Sequence, residues 1–373
     1  MRNSSTGFDI FCRVVDNYGD IGVCWRLARL LEQLNPGATI RLRVDNLQAL
    51  ARIEPTIDPA LREQTKCGVA VTLWTENTLD ATPQDVVIEA FACDLPQQFI
   101  ARMIKRDSLC INLEYLSAEK WVEGCHGLPS PGQNGLRKYF FFPGFTTATG
   151  GLLREPDLLK ARDSWLAQPD SRWRLLEEIG MGQPLIDGLR SGWRQVYLFC
   201  YPSAPADDLI HALDVQDTPT VLIVPSGVYP SLRDRSTGKV HVFEAPFVSQ
   251  EDFDHLLWCS DLNFVRGEDS LVRAIWAGRP FVWQIYPQEH DAHLAKLSAW
   301  LELSRFSAPV TQLLQAWNSA TPTLALRELR VALTPAVMDE WRERAAYRCE
   351  ELSSRCDLAQ NLVDFCAKNR RKE

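Results

Sequence analysis

The chain has 373 residues, a length that suits two domains better than a single core. Hydrophobic residues make up 46% and charged residues 24%, a globular balance that excludes a disordered or fibrous chain. The formal net charge of −8 weighs against a general nucleic-acid binder, which would be basic, and the basic cluster Lys368-Asn369-Arg370-Arg371-Lys372 reads as a solvated tail.

Along the first half, short strand-like runs alternate with helical ones. FDIFCRVV (8–15), rich in β-branched and aromatic residues, predicts a strand. IGVCWRLARLLEQLN (21–35) predicts a helix with Val23, Leu27, Leu30, Leu31 and Leu34 on one side, ended by Asn35-Pro36-Gly37. Strands are expected at 39–46, 69–74, 85–91 and 108–116, with a helix around 95–106. KYFFFPGFTTATGGLL (138–153) reads as a last strand and a closing loop, and a helical, charged stretch over 156–181 leads on. The second half restarts the pattern, with strands at 195–202, 219–225, 239–247, 262–267 and 279–287 and helices at 249–261 and 268–278. A long helical tail runs from about residue 289. Strand and helix in alternation means a parallel sheet covered by helices, so two doubly wound α/β domains in series are expected, with ligands at the carboxyl ends of the strands.

The eleven cysteines are scattered and form no Cys-x-x-Cys pair. That pattern favours reduced core thiols in a cytoplasmic protein over a disulfide framework or zinc cluster. The N-terminus lacks a signal-peptide apolar region, and no run approaches the ~18 apolar residues of a membrane span. His290 and His293 stand at i and i+3, but no third ligand is suggested, so no metal is expected.

Two stretches carry chemistry. In VVDNYGDIGV (14–23), Asp16 and Asp20 sit four residues apart at the mouth of the first strand. In LNFVRGEDSLVRAIWAGRPFVWQIYPQEH (262–290), a strand ends in Arg266-Gly267 and a helix opens with Glu268-Asp269-Ser270. A helix N-terminus after a glycine turn suits an anion, and Arg266 would add a forked cation. The carboxylates of Glu268 and Asp269 also suit that terminus, so a plain capped helix remains an alternative. Asp16 and Asp20 read equally as a turn residue and an N-cap for a helix starting at Ile21. No Walker sequence or Gly-x-Gly-x-x-Gly follows the first strand, which weakens P-loop hydrolysis and dinucleotide oxidoreduction.

The arrangement resembles the GT-B glycosyltransferases, two Rossmann-like doubly wound domains facing across a cleft. More narrowly, DNYGDIGVCWRLARLL (16–31), PFVSQEDFDHLLWCSDLNFVRGEDS (246–270) and AGRPFVWQIYPQ (277–288) resemble the family of arginine rhamnosyltransferases that modify bacterial elongation factor P. The resemblance spans most of the chain. It implies an N-terminal acceptor domain over 1–155, onto which a C-terminal helix at about 352–373 packs back, and a donor domain over 156–351. It implies inverting transfer of L-rhamnose from dTDP-β-L-rhamnose to an arginine of elongation factor P, with no metal or other cofactor.

By the same resemblance, Asp20 matches the catalytic base, and Asp16 and Glu268 two further acids at that centre. Arg266, Asp269 and Ser270 match the diphosphate-binding group. Phe247 and Phe253 match rings around thymine, with Gln250 able to read the base edge. Tyr201 and Tyr286 match tyrosines near the nucleotide, with Phe199 a weaker candidate. Asn17 and Tyr18 are placed near sugar or acceptor. Read without the family, Phe247 and Phe253 are core rings and Tyr201 is strand-end packing. The chemistry needs acids because a guanidinium, with pKa about 12.5–13.8, must lose a proton as it attacks. The competing readings are a GT-B enzyme with another sugar or acceptor, a non-catalytic nucleotide-sugar-binding module, and a hydrolase with paired acids.

Overall fold

The computed structural model describes residues 6–15, 18–75, 81–130, 135–232, 235–288, 292–319, 321 and 323–370. The chain divides into two compact units, Met1–Pro156 with Ser353–Glu373, and Asp157–Leu352.

In the first unit the elements run β1 (Phe8–Cys12), α1 (Gly19–Leu34), β2 (Ile40–Val44), α2 (Leu47–Ile53), β3 (Glu63–Lys66), β4 (Val69–Leu73), β5 (Val86–Ala90), α3 (Gln97–Arg106), β6 (Leu109–Leu113), α4 (Lys120–Cys125) and β7 (Lys138–Phe141). The seven strands order as β3-β4-β2-β1-β5-β6-β7. Every neighbouring pair is parallel except β3 with β4. β1, β5 and β6 are buried at every position, as strands covered on both faces must be. On α1 the expected stripe holds for Val23, Leu27, Leu30 and Leu31, which are buried, while Leu34 is half-buried. Phe11 centres one core, with the rings of Trp74 and Phe99 edge-on to it at 5.4 and 5.1 Å.

Two differences from the sequence reading have clear causes. The first strand stops at Cys12 instead of Val15. The Trp74 indole N–H donates to the Cys12 carbonyl (3.1 Å), and the Val14 and Val15 N–H groups donate to the carboxylates of Asp45 (3.0 Å) and Asp20 (2.8 Å) instead of to a neighbouring strand. β3 was not foreseen: EQTK is a polar edge strand, and it pairs with β4 through a two-residue turn at Cys67-Gly68, both at positive φ.

The second unit contains α5 (Leu158–Ala167), α6 (Ser171–Glu178), α7 (Gln183–Arg190), β8 (Arg194–Leu198), α8 (Ala206–Asp214), β9 (Thr220–Pro225), β10 (Val240–Ala245), α9 (Gln250–Cys259), β11 (Leu262–Arg266), α10 (Gly267–Ala277), β12 (Phe281–Gln284), α11 (Ala292–Ser304), α12 (Ala308–Trp317), α13 (Leu324–Ala332) and α14 (Pro335–Ser353). Its all-parallel sheet orders as β10-β9-β8-β11-β12. The helical tail is broken into separate helices: Arg305 and Thr323 adopt left-handed backbone, and Pro309 and Pro335 stand at helix starts.

The last helix, α15 (Leu358–Asn369), belongs to the first unit. Asp357 caps it through the N–H groups of Ala359 and Gln360. Its Phe365 ring lies 5.6 Å from both Tyr139 and Phe141. The eleven cysteines are free thiols, eight of them buried. Among the described residues no helix is long and apolar enough to cross a membrane.

Candidate functional site

In the second sheet, chain order reverses between β8 and β11: β8 leads outward to β9 and β10, and β11 to β12. The crevice beyond the carboxyl ends of those two strands is where an open α/β sheet binds ligands. The segments leaving that edge carry nearly all the residues that the sequence assigned to the donor. Phe199 and Tyr201 follow β8, Phe247 follows β10, Arg266 ends β11, and Tyr286 follows β12.

Arg266 sits between two rings. Its guanidinium carbon lies 4.9 Å from the centroid of Phe199 and 4.9 Å from that of Tyr201, and Nη1 donates to the Cys200 carbonyl (3.4 Å). A planar cation suits such a place better than an ammonium. The turn carrying Tyr201 is fixed from outside the site. Gln284 Oε1 accepts from the Tyr201 N–H (2.7 Å), and the Tyr229 hydroxyl accepts from the Cys200 N–H (2.9 Å). The Tyr286 ring, 44% exposed, meets Tyr201 edge-on at 5.7 Å. Burial pushes the hydroxyls of Tyr197 and Tyr229 up, so both stay neutral.

α10 begins where β11 ends. Gly267 makes the turn at φ +64°, a conformation that disfavours any side chain, and the Trp283 indole N–H holds its carbonyl (2.8 Å). The amides of the first turn therefore start at a fixed point. Ser270 is buried there, and Glu268 and Asp269 are half-buried. Lys296 of α11 approaches Glu268, with Nζ to Oε1 at 3.2 Å.

Phe247 is half-buried in the loop before α9, and Gln250 and Phe253 are buried in its first turn. The Ser249 hydroxyl caps that helix by accepting from the Asp252 N–H (3.1 Å). Phe253 packs edge-on against Phe199 (5.0 Å) and Tyr197 (5.8 Å). One aromatic chain thus runs from Phe253 through Phe199 to Arg266. α9 is tied to α10 by a bidentate pair of Arg273 with Asp254, at 2.9 and 2.6 Å, both side chains buried.

In the first unit, chain order reverses between β1 and β5, and the loop leaving β1 leads to Asp20. Asp16 and Asn17 lie outside the described residues. Tyr18 is half-buried at the N-cap of α1 and makes no side-chain cap bond. The alternative that made Asp20 an N-cap does not hold: the helix starts at Gly19, so Asp20 falls inside its first turn. Asp20 is 4% exposed, and its carboxylate accepts from the Val15 N–H at 2.8 Å, which ties Val15 to the first turn of α1. Beneath it, Cys12 and Cys24 are neutral: the hydrogen bond to Cys24 and burial push Cys12 up, and burial pushes Cys24 up.

The sequence reading did not single out Gln284, Tyr229 or Lys296. A lone glutamine ending FVWQ was a faint signal, because a buried amide at a strand end needs partners. Lys296 in AHLAKLSAW looks like any solvated helical lysine. His293, weighed as a metal ligand, accepts the Gln288 N–H at Nδ1 (3.2 Å). Among the described residues no group of three or more His, Cys, Asp or Glu gathers at metal-binding range.

The profile of a family described as elongation-factor P (EF-P) rhamnosyltransferase EarP matches residues 8–367. A protein-arginine rhamnosyltransferase of Pseudomonas aeruginosa is 44% identical over 381 residues, covering 96% of this chain and 98% of its own. Among solved structures, one described as the structural basis for EarP-mediated arginine glycosylation of translation elongation factor EF-P is similar, with TM-score 0.63 and 31% identity over 98% of this chain and 99% of that one. Arabidopsis thaliana UGT89C1, solved with UDP, is similar in fold alone, with TM-score 0.52 and 10% identity over 97% of this chain and 99% of that one. The two largely parallel sheets and these likenesses make the fold GT-B.

Proposed function

Because the chain belongs to the EarP family of arginine rhamnosyltransferases, we propose that it transfers L-rhamnose from dTDP-β-L-rhamnose to an arginine of elongation factor P, with inversion. The observation that carries the donor half is the placement of Phe199, Tyr201, Arg266 and the first turn of α10 along one edge of the second sheet. The aromatic chain from Phe199 to Phe253, with Phe247 and Gln250 beside it in sequence, suits a nucleobase. Arg266, Ser270 and the α10 amides suit a diphosphate, and Asp269 serves through its backbone N–H because its charge opposes phosphate. Tyr286 and Tyr201 flank the nucleotide, and Asn17 and Tyr18 belong near the sugar or acceptor.

In the transfer, one guanidinium nitrogen attacks the anomeric carbon. The bond from that carbon to the diphosphate oxygen breaks, and its electron pair leaves with dTDP. The attacking nitrogen gives its proton to Asp20. Asp16 and Glu268 hold the other nitrogens by charge-assisted hydrogen bonds, which localises the lone pair that attacks. Negative carboxylates also stabilise the positive charge growing on the sugar ring. The Val15 N–H bond to Asp20 supports this assignment by positioning, since a fixed carboxylate is better aimed at the proton it takes.

The test is intact-mass analysis of elongation factor P after incubation with the protein and dTDP-β-L-rhamnose, with Asp20→Asn in parallel. One added deoxyhexose, lost in the variant while dTDP still binds, is the expected result. No addition by a folded, dTDP-binding wild type would sink the acceptor assignment. Absence of dTDP binding would sink the donor assignment too.

A further inference from the structure

An anion site that opens with Glu268-Asp269 carries a contradiction, because a carboxylate in the first turn repels the diphosphate that the same amides attract. Lys296 answers it. Its ammonium lies 3.2 Å from Glu268 Oε1, with the two side chains only 16% and 21% exposed, so solvent screens the pair weakly. The lysine comes from α11, and that helix is tied to the same sheet edge. His293, one turn earlier on α11 and 8% exposed, accepts the Gln288 N–H, two residues beyond Tyr286. The ammonium is therefore carried on an anchored helix, not on a free surface stem.

We propose that Lys296 is the counter-charge that lets an acid and a diphosphate share the N-terminus of α10. It offsets Glu268 electrostatically and holds its carboxylate, so the acid is available for the guanidinium without weakening the nucleotide. Lys296 acts through Glu268 and is a positioning residue, outside the set that touches donor or acceptor. The inference rests on the donor site proposed above.

The experiment measures dTDP affinity by titration calorimetry for the wild type, Lys296→Met, Glu268→Gln and the double variant, with thermal unfolding as a check on folding. Lys296→Met keeps the stem and removes the charge, and it is expected to weaken dTDP about tenfold, a shift of about 1.4 kcal/mol. Glu268→Gln is expected to bind dTDP at least as well as the wild type. The double variant is expected to return to within about threefold of Glu268→Gln, since the lysine has no acid left to offset. Lys296→Arg should keep wild-type affinity. A merely structural lysine would not be rescued by removing Glu268. If the double variant stays as weak as Lys296→Met, the lysine meets the diphosphate itself and the proposal fails. Unchanged affinity in a folded Lys296→Met also overturns it, and should that variant unfold, Lys296→Gln takes its place. A wild type that does not bind dTDP overturns the donor reading and this inference together, whereas binding with additive variants overturns the inference alone.

Discussion

Arg266 illustrates how one residue would join the fold to the proposed chemistry. Its backbone ends β11 and precedes α10, and its guanidinium is held between Phe199 and Tyr201. Lysine would keep the charge but lose the planar face and the forked donors. Arg266→Lys is expected to weaken dTDP about tenfold while thermal stability changes little, measured by calorimetry and a melting curve. Equal affinity would mean that charge alone suffices. At this scale the candidate site was legible where the sequence broke a pattern. An arginine and a glycine between a buried strand and a helix have no packing reason to be there, whereas Lys296 breaks nothing. Its role comes from the position of a second helix, which no local rule encodes. Asp20 was legible as an acid at a strand end, but the capping alternative does not hold: it stands two residues past the N-cap position, Tyr18, and its carboxylate accepts from Val15 instead.

At the scale of elements, the proposed donor edge depends on α9 and α10 keeping their separation, and the buried Arg273–Asp254 pair spans that gap. Breaking one partner leaves a buried charge without its match. Arg273→Met is expected to cost about 3–5 kcal/mol in urea unfolding, and Asp254→Leu combined with it to recover most of that loss. An additive double variant would show that packing, not the charge pair, sets the cost. Strands and helices themselves were readable because each buried strand is a short apolar run and each covering helix repeats at helical spacing. The exceptions have separate causes. β3 is polar because it is an edge, and the break between α11 and α12 depends on left-handed backbone at Arg305, which a sequence pattern does not mark.

At the scale of the whole molecule, the chain crosses to the second unit at Asp157 and comes back at Ser353, so the first unit is completed only by residues that follow the whole of the second. The Gly150-Gly151 pair is shaped to receive them. A side-chain carbon on Gly151, at φ +85°, would meet the Cys356 carbonyl at 2.8 Å, and one on Gly150 would meet Phe141 at 2.5 Å. The Leu358 N–H then reaches the Leu152 carbonyl (3.0 Å), and Asn361 Nδ2 reaches that of Gly150 (2.9 Å). Under the same helix, His126 Nδ1 accepts the Phe142 N–H (3.0 Å), and its ring lies 4.7 Å from Phe141. Burial holds this imidazole below its ordinary value of 6.5. The unfolded chain therefore binds the proton more readily than the folded one. The stability that follows is complete above pH 6.5 and is lost as pH falls through the depressed folded value. Two expectations follow for hydrogen exchange and thermal unfolding. Gly151→Ala should release α15 and expose Leu358, Leu362 and Cys366, which are buried against the first unit, at a cost of about 2–4 kcal/mol confined to that unit. His126→Gln should flatten the loss of stability between pH 7 and pH 5. If the wild type shows no such slope, the Phe142 bond does not depend on a neutral imidazole. If Gly151→Ala leaves exchange in α15 unchanged, the seat is not what holds the returning helix.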